Sequence, residues 1–139
     1  MKNVKVLFTA LSLCLCFVSI RCTRDTSGLS QTEQVLVQNI WLVDYFYYNQ
    51  DITNDFGSSR ILFSSTGAVG YQRNNETIPG TWSKTVDALN NEVITLHFHT
   101  TDPNVSRLNE SWKLTDRTLS SLQFEAINVP NSLFRIRTK

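Results

Sequence analysis

Beyond residue 22 the chain contains no cysteine; Cys14, Cys16 and Cys22 are its only three. The rest therefore has no disulfide framework, no thiolate nucleophile and no cysteine-based metal site. Histidine is nearly as scarce, with His97 and His99 alone. Charge of one sign is missing too. Thirteen Lys and Arg stand against twelve Asp and Glu, with no run of like charge. That excludes the basic patch that nucleic-acid binding requires. The five glycines are never spaced as a phosphate-binding loop, and no G-x-S-x-G elbow occurs. No internal repeat and no low-complexity segment is present. With no catalytic constellation in view, the chain is not expected to be an enzyme, and no cofactor or metal is expected.

A long apolar run occurs once. Residues 6–20 are almost unbroken, behind the basic Lys2 and Lys5. Spanning a bilayer takes about 20 residues, so this run is short for a membrane helix. It has the length of a signal-peptide h-region. A cysteine directly after such a run is where bacterial lipoproteins are acylated. Each buried acyl methylene contributes about 0.8 kcal/mol of membrane affinity. Cys22 is therefore expected to be the lipidated first residue of the mature chain, although Arg21 stands where a small residue is usual. Ordinary cleavage near this point and an uncleaved anchor are the alternatives. Cys14 and Cys16 would leave with the signal. So would Lys2, Lys5 and Arg21, leaving ten basic residues against twelve acidic ones. The expected organisation is a signal peptide over 1–21, a tether and short helix over 22–38, and one domain over 39–139. Its expected location is the cell envelope, lipid-anchored to the outer membrane.

In "SQTEQVLVQNIW", Ser30 precedes Glu33 by three residues, the spacing of a capping box. This predicts a short lead-in helix. After Trp41 the pattern has period two, with turn residues every 8–12 positions, which predicts an all-β protein. Eight strands are expected, over 41–48, 60–65, 68–73, 77–84, 92–99, 108–115, 118–127 and 132–137, with a tight turn at Asp116-Arg117. The connections after the first strand are short. Eight antiparallel strands in a meander close into an up-and-down barrel, which removes exposed edges.

The alternation points about nine aromatics inward: Trp41, Tyr45, Phe63, Tyr71, Trp82, Phe98, Trp112, Phe124 and Phe134. An eight-stranded barrel is just wide enough to be filled by side chains or to hold one small ligand. Two readings follow. Either these rings fill the core, leaving a small cavity at most, or an open end keeps a shallow apolar cup. In the second case Trp41, Tyr45, Tyr71, Trp82 and Trp112 would line it. Outward-facing Leu42, Phe46, Tyr48 and Leu62 suggest a protein-contact patch on the first two strands, unless the lead-in helix covers them.

The order of Trp41, "DITNDFGSSRILFSSTGAV", "GTWSK", "ITLHF", "LNESWKL" and a closing Arg-containing strand resembles the lipocalin-like domain of small envelope lipoproteins of Bacteroidetes-type bacteria. The resemblance covers nearly all of residues 39–139. It implies an eight-stranded lipocalin-like barrel behind a lipoprotein signal, in a family whose members mostly have no assigned activity. True lipocalins carry G-x-W on the first strand, whereas here Gly80, Thr81 and Trp82 lie on the fourth. The likeness to them is architectural, and ligand transport does not follow from it.

Weaker signals have plain explanations. His97 and His99 project from one outer face, but zinc takes three or four ligands. Asp51, Thr53 and Asp55 echo a calcium loop that lacks its closing Glu, since Leu62 stands there. Glu125 is expected to meet Arg135 or Arg137 across a hairpin. The sequence thus predicts a membrane-anchored, lipocalin-like binding module of the cell envelope. Its partner would be a small apolar ligand at the barrel mouth. The alternative is a structural or interaction subunit that uses the outer wall around a filled core.

Overall fold

The computed structural model describes residues 28–139. The signal peptide, its cleavage and the acylation of Cys22 lie outside the described residues. A helix, α1 (Gln31–Gln38), leads into eight strands. They are β1 (Ile40–Tyr47), β2 (Arg60–Phe63), β3 (Ala68–Arg73), β4 (Glu76–Val86), β5 (Glu92–Phe98), β6 (Ser111–Arg117), β7 (Ser121–Ala126) and β8 (Leu133–Thr138). A second, one-turn helix, α2 (Pro103–Ser106), joins β5 to β6. Each strand pairs antiparallel with the next, and β8 returns to β1, so the sheet is a closed barrel. The all-β, eight-stranded up-and-down architecture expected from the sequence is therefore the one adopted.

The lead-in helix begins as its capping box dictates. The Ser30 hydroxyl accepts from the Glu33 amide, and the Ser30 amide donates to Glu33 Oε2 at 2.8 Å. Leu36 and Val37 are buried in the core, where α1 packs against β2. This helix closes one end of the barrel.

The opposite end is closed by connections that the period-two pattern does not reveal. After β1 the chain makes a 3-10 turn over Thr53–Asp55 that buries Ile52 and Phe56. Asp102 caps α2 by accepting from the Asn104 and Val105 amides, and Pro103 opens the helix. Pro costs nothing there because the first helical N–H has no intrahelical partner anyway. The α2 segment buries Val105 and Leu108. β6 consequently starts at Ser111, not at residue 108 as expected. Asn109 bridges the gap with its side chain, accepting from the Phe98 amide at 2.5 Å and donating to the Phe98 carbonyl at 3.0 Å. Asp116 and Arg117 are in β6 rather than in a turn; the turn is at 118–120, closed by Thr118 donating to the Ser121 carbonyl.

β4 is the longest strand because it serves two neighbours. Residues 76–81 pair with β3 and residues 80–86 with β5. The handover falls at Gly80, where a Cβ would sit 2.4 Å from the His97 carbonyl oxygen and 2.9 Å from the Phe98 Cα. Only glycine lets the two backbones approach so closely at this corner.

Two strands carry bulges. In β1 the register shifts between Val43 and Tyr45, and in β6 between Leu114 and Asp116. The first corrects the expected inner face. An extra residue flips every later side chain to the other side. Phe46, not Tyr45, points into the barrel and is wholly buried. Tyr45 lies outside, with the Arg135 guanidinium 5.8 Å from its ring centre. The expected contact patch loses Phe46 for the same reason, and Tyr48 with it, which packs against the core beside Phe46.

Candidate functional site

The five residues expected to line a mouth are dispersed. Trp41 is wholly buried over α1 and donates through Nε1 to the Leu36 carbonyl at 3.0 Å. Trp112 is wholly buried near the other end and donates to the Leu108 carbonyl, also at 3.0 Å. Trp82 packs edge-on against Phe63, centroids 5.3 Å apart, and donates to the Ser64 carbonyl at 2.9 Å. Tyr71 is buried, and its hydroxyl donates to Ser59 Oγ at 2.7 Å. Ser59 in turn donates to the Phe56 carbonyl. Burial pushes the Tyr71 phenol above its ordinary value, against the opposing pull of Ser59. Tyr45 is on the outer wall.

No open cup joins these side chains. Phe46 meets Phe56, Phe134 and Trp112 at centroid distances of 5.1, 5.5 and 5.7 Å. Phe56 and Tyr71 meet at 6.2 Å, and Tyr71 and Phe98 at 6.3 Å. These edge-on contacts pack the end that was expected to stay open. In the middle of the barrel, the gap between Phe63, Leu96, Trp112, Phe124 and Ile136 has no room for a water molecule. A drug-sized ligand needs roughly 300–1,000 Å³. The interior is a core.

The concavities lie outside. One of them is an open groove of about 450 Å³ on the wall of β6, β7, β8 and β1. It is lined by Asp44, Asp116, Ser121, Gln123, Arg135, Arg137 and their neighbours Ser120 and Thr138. The bulged strands β1 and β6 form its two flanks. Bulges re-aim side chains, and this is their effect here. The β1 bulge turns both Asp44 and Tyr45 outward. Asp44 accepts from Arg135 Nε at 2.6 Å and forms an ion pair with Arg137 Nε at 3.2 Å, while Arg135 also lies over Tyr45. Period-two reading misses this cluster because it assumes an unbroken strand. Glu125, expected to meet one of these arginines, pairs instead with Lys113 at 2.8 Å.

The fold has a solved counterpart in a DUF4847 family protein from Bacteroides vulgatus. The two share 15% sequence identity and superpose with a TM-score of 0.57, over 78% of this chain and 97% of the other. At that identity the likeness is one of fold. No family model matches the chain, and no curated protein matches it.

Other sequence signals resolve into local structure. The rings of His97 and His99 stand edge-on on the outer wall, 5.2 Å apart. Asp102, the nearby carboxylate, caps α2 and pairs with Arg73 at 2.9 Å. Among the described residues no three His, Cys, Asp or Glu side chains converge as metal ligands. Asp51 and Thr53 fold their own loop: Asp51 Oδ1 accepts from the Thr53 amide, and Thr53 Oγ1 accepts from the Phe46 amide.

The most heavily paired ionic cluster is at the α1 end. Glu92 accepts from Thr32 Oγ1 at 2.5 Å and pairs with Lys84 at 3.0 Å and Arg117 at 3.2 Å. Lys84 also donates to Ser30 Oγ at 2.9 Å, and Arg117 to Gln31 Oε1 at 3.2 Å and to Thr32. Burial works to raise the Glu92 carboxyl, but the Thr32 hydroxyl and the two cations prevail and hold it below its ordinary value. This cluster fastens helix to barrel; its groups are saturated by one another.

Proposed function

We propose that this chain is a non-catalytic interaction module of the bacterial cell envelope, tethered to the outer membrane through an acylated Cys22, which works through its outer wall. The observation that carries this reading is the filled interior. With both ends plugged and no room for a water molecule among the core rings, a small apolar ligand has no volume to enter. Recognition then falls to the surface. The groove between the two bulged strands, with Asp44, Asp116, Arg135 and Arg137, suits a polar, charge-bearing face of an envelope protein. The tether rests on the apolar run over 6–20 followed by Cys22. The likeness of fold to a protein from Bacteroides agrees with a Bacteroidetes-type origin for the family.

Native mass spectrometry of the full chain extracted from its own envelope tests both parts. The mature chain is expected to begin at Cys22 with the added mass of acyl groups. It is expected to retain a protein partner that Arg137→Glu loses, and no lipid-like ligand. An unmodified Cys22 sinks the tether. A stoichiometric apolar ligand sinks the filled-barrel reading and restores binding of a small apolar ligand.

A further inference from the structure

Large apolar side chains are unevenly exposed. Among the described residues five are conspicuous: Ile40, Val86, Leu89, Leu119 and Ile127. The first four are at the end closed by α1, and only Ile127 is at the other. The placement follows from topology. Leu89 is in the β4–β5 connection, next to the Lys84 and Glu92 that hold α1, and Leu119 is in the β6–β7 connection, next to Arg117. β5 and β6 are paired, so these are adjacent hairpin tips.

Both tips are built to hold a leucine outward. Asp87 accepts from the amides of Leu89 and Asn91 at 2.9 and 2.8 Å and from the Asn91 side chain at 2.8 Å, while Asn90 takes a left-handed φ of 64°. Leu89 is left 83% exposed. In the second turn Thr118 Oγ1 accepts from the Ser120 and Ser121 amides at 3.3 and 2.9 Å, and the Ser120 carbonyl accepts from the Thr138 amide at 2.8 Å. Leu119 is left 81% exposed. Turn chemistry of this kind needs no leucine; polar residues serve as well.

We infer that the α1 end of the barrel rests on the lipid surface, with Leu89 and Leu119 dipping into it as two apolar fingers. The inference rests on the tether proposed above, and adds which end faces the membrane and by which residues. The described chain starts at Gly28, one residue before Leu29 packs on the core at this same end. Six residue steps separate Cys22 from Gly28, a reach of at most about 20 Å. A chain held at Cys22 therefore keeps this end, and not the other, beside the bilayer. Apolar side chains that reach the boundary between headgroups and acyl chains add binding in proportion to the area they bury. The outer-wall groove stays open sideways to a protein partner.

The test uses the mature chain, recovered from its own envelope, in phosphatidylethanolamine–phosphatidylglycerol vesicles. Three single-cysteine additions, Leu89→Cys, Leu119→Cys and Ile127→Cys, are compared with the parent by flotation and by the rate of labelling with a bulky maleimide. All three sites are exposed, so the fold should be unaffected. With vesicles, residues 89 and 119 should label roughly tenfold more slowly than without, as expected for side chains at the acyl boundary, while residue 127 is unchanged. Flotation with equal labelling at all three sites overturns this inference and leaves the tether standing. Failure to float overturns the tether and the inference with it. Protection without vesicles also overturns the inference. If it rises with concentration, the occupant is a second copy; if not, it is another part of the same chain.

Discussion

The two ends of the barrel are plugged by different physics. At one, α1 is docked by Leu36 and Val37 and then fastened by ionised groups, Glu92 with Lys84 and Arg117, through Thr32 and Ser30. At the other, Ile52, Phe56, Val105 and Leu108 fill the opening with apolar volume. One device is common to both. A buried tryptophan indole donates to a backbone carbonyl of the plug, Trp41 to Leu36 and Trp112 to Leu108. The contrast teaches which end answers to solution conditions. A charge-fastened plug weakens when its carboxylate is protonated, whereas a close-packed apolar plug responds mainly to lost volume.

The apolar end should be broken most severely by removing its central ring. Phe56→Ala deletes a wholly buried aromatic that touches Phe46 and Tyr71 and is expected to cost about 3–5 kcal/mol in urea unfolding. A cost below about 1 kcal/mol, well short of the usual range for a buried ring, would mean that the plug is not part of the cooperative core. The shared device comes next. Trp41→Phe and Trp112→Phe each leave a buried carbonyl without its donor, at about 1–3 kcal/mol, and the two losses should be similar. A large inequality would show that the tryptophans are not equivalent ties.

The charged end is tested by acid. Glu92 has an ordinary value of 4.5 and sits lower when folded. Its contribution is complete above pH 4.5 and is lost as pH falls through its folded value. Glu92→Gln is expected to cost about 1.5–3 kcal/mol at pH 7, the range for hydrogen bonds to a charged group. The variant should also flatten the acid limb of a stability–pH curve, and Phe56→Ala should leave that limb unchanged. The reverse pattern would exchange the roles assigned to the two ends.

The wall of the barrel was legible because alternation is a property of neighbouring residues. Ile94, Leu96 and Phe98 face inward as their spacing predicts. The capping box at Ser30 and Glu33 was legible for the same reason. The ends were not. Phe56 and Leu108 lie in polar-looking loops, and their burial depends on which strands those loops cross. The bulge at Asp44 was equally hidden, since one added residue leaves the hydrophobic content of the strand unchanged while exchanging Tyr45 for Phe46. The wall groove follows from that bulge, so the candidate site could be read only once the register was known. Signals for α2 were present: "DPNVS" places Asp102 at a cap and Pro103 at the first helical position.

Asp102 is where the contrast between the ends is least complete. It is a carboxylate at the apolar end, held below its ordinary value although burial opposes this, because the Val105 and Asn104 amides and Arg73 favour its ionised form. Its contribution, like that of Glu92, is present above the ordinary carboxylate range and lost in acid. Its setting is different. Its partner Arg73 is 41% exposed, whereas Lys84 beside Glu92 is only 11% exposed. Solvent screens the first pair far more than the second. Asp102→Asn keeps an oxygen for the α2 cap and removes only the charge, and asparagine caps about as well as aspartate. The expected cost is under ~1 kcal/mol at pH 7, with a small flattening of the acid limb. A cost matching that of Glu92→Gln would place ionic fastening at both ends and reduce the contrast to one of packing alone.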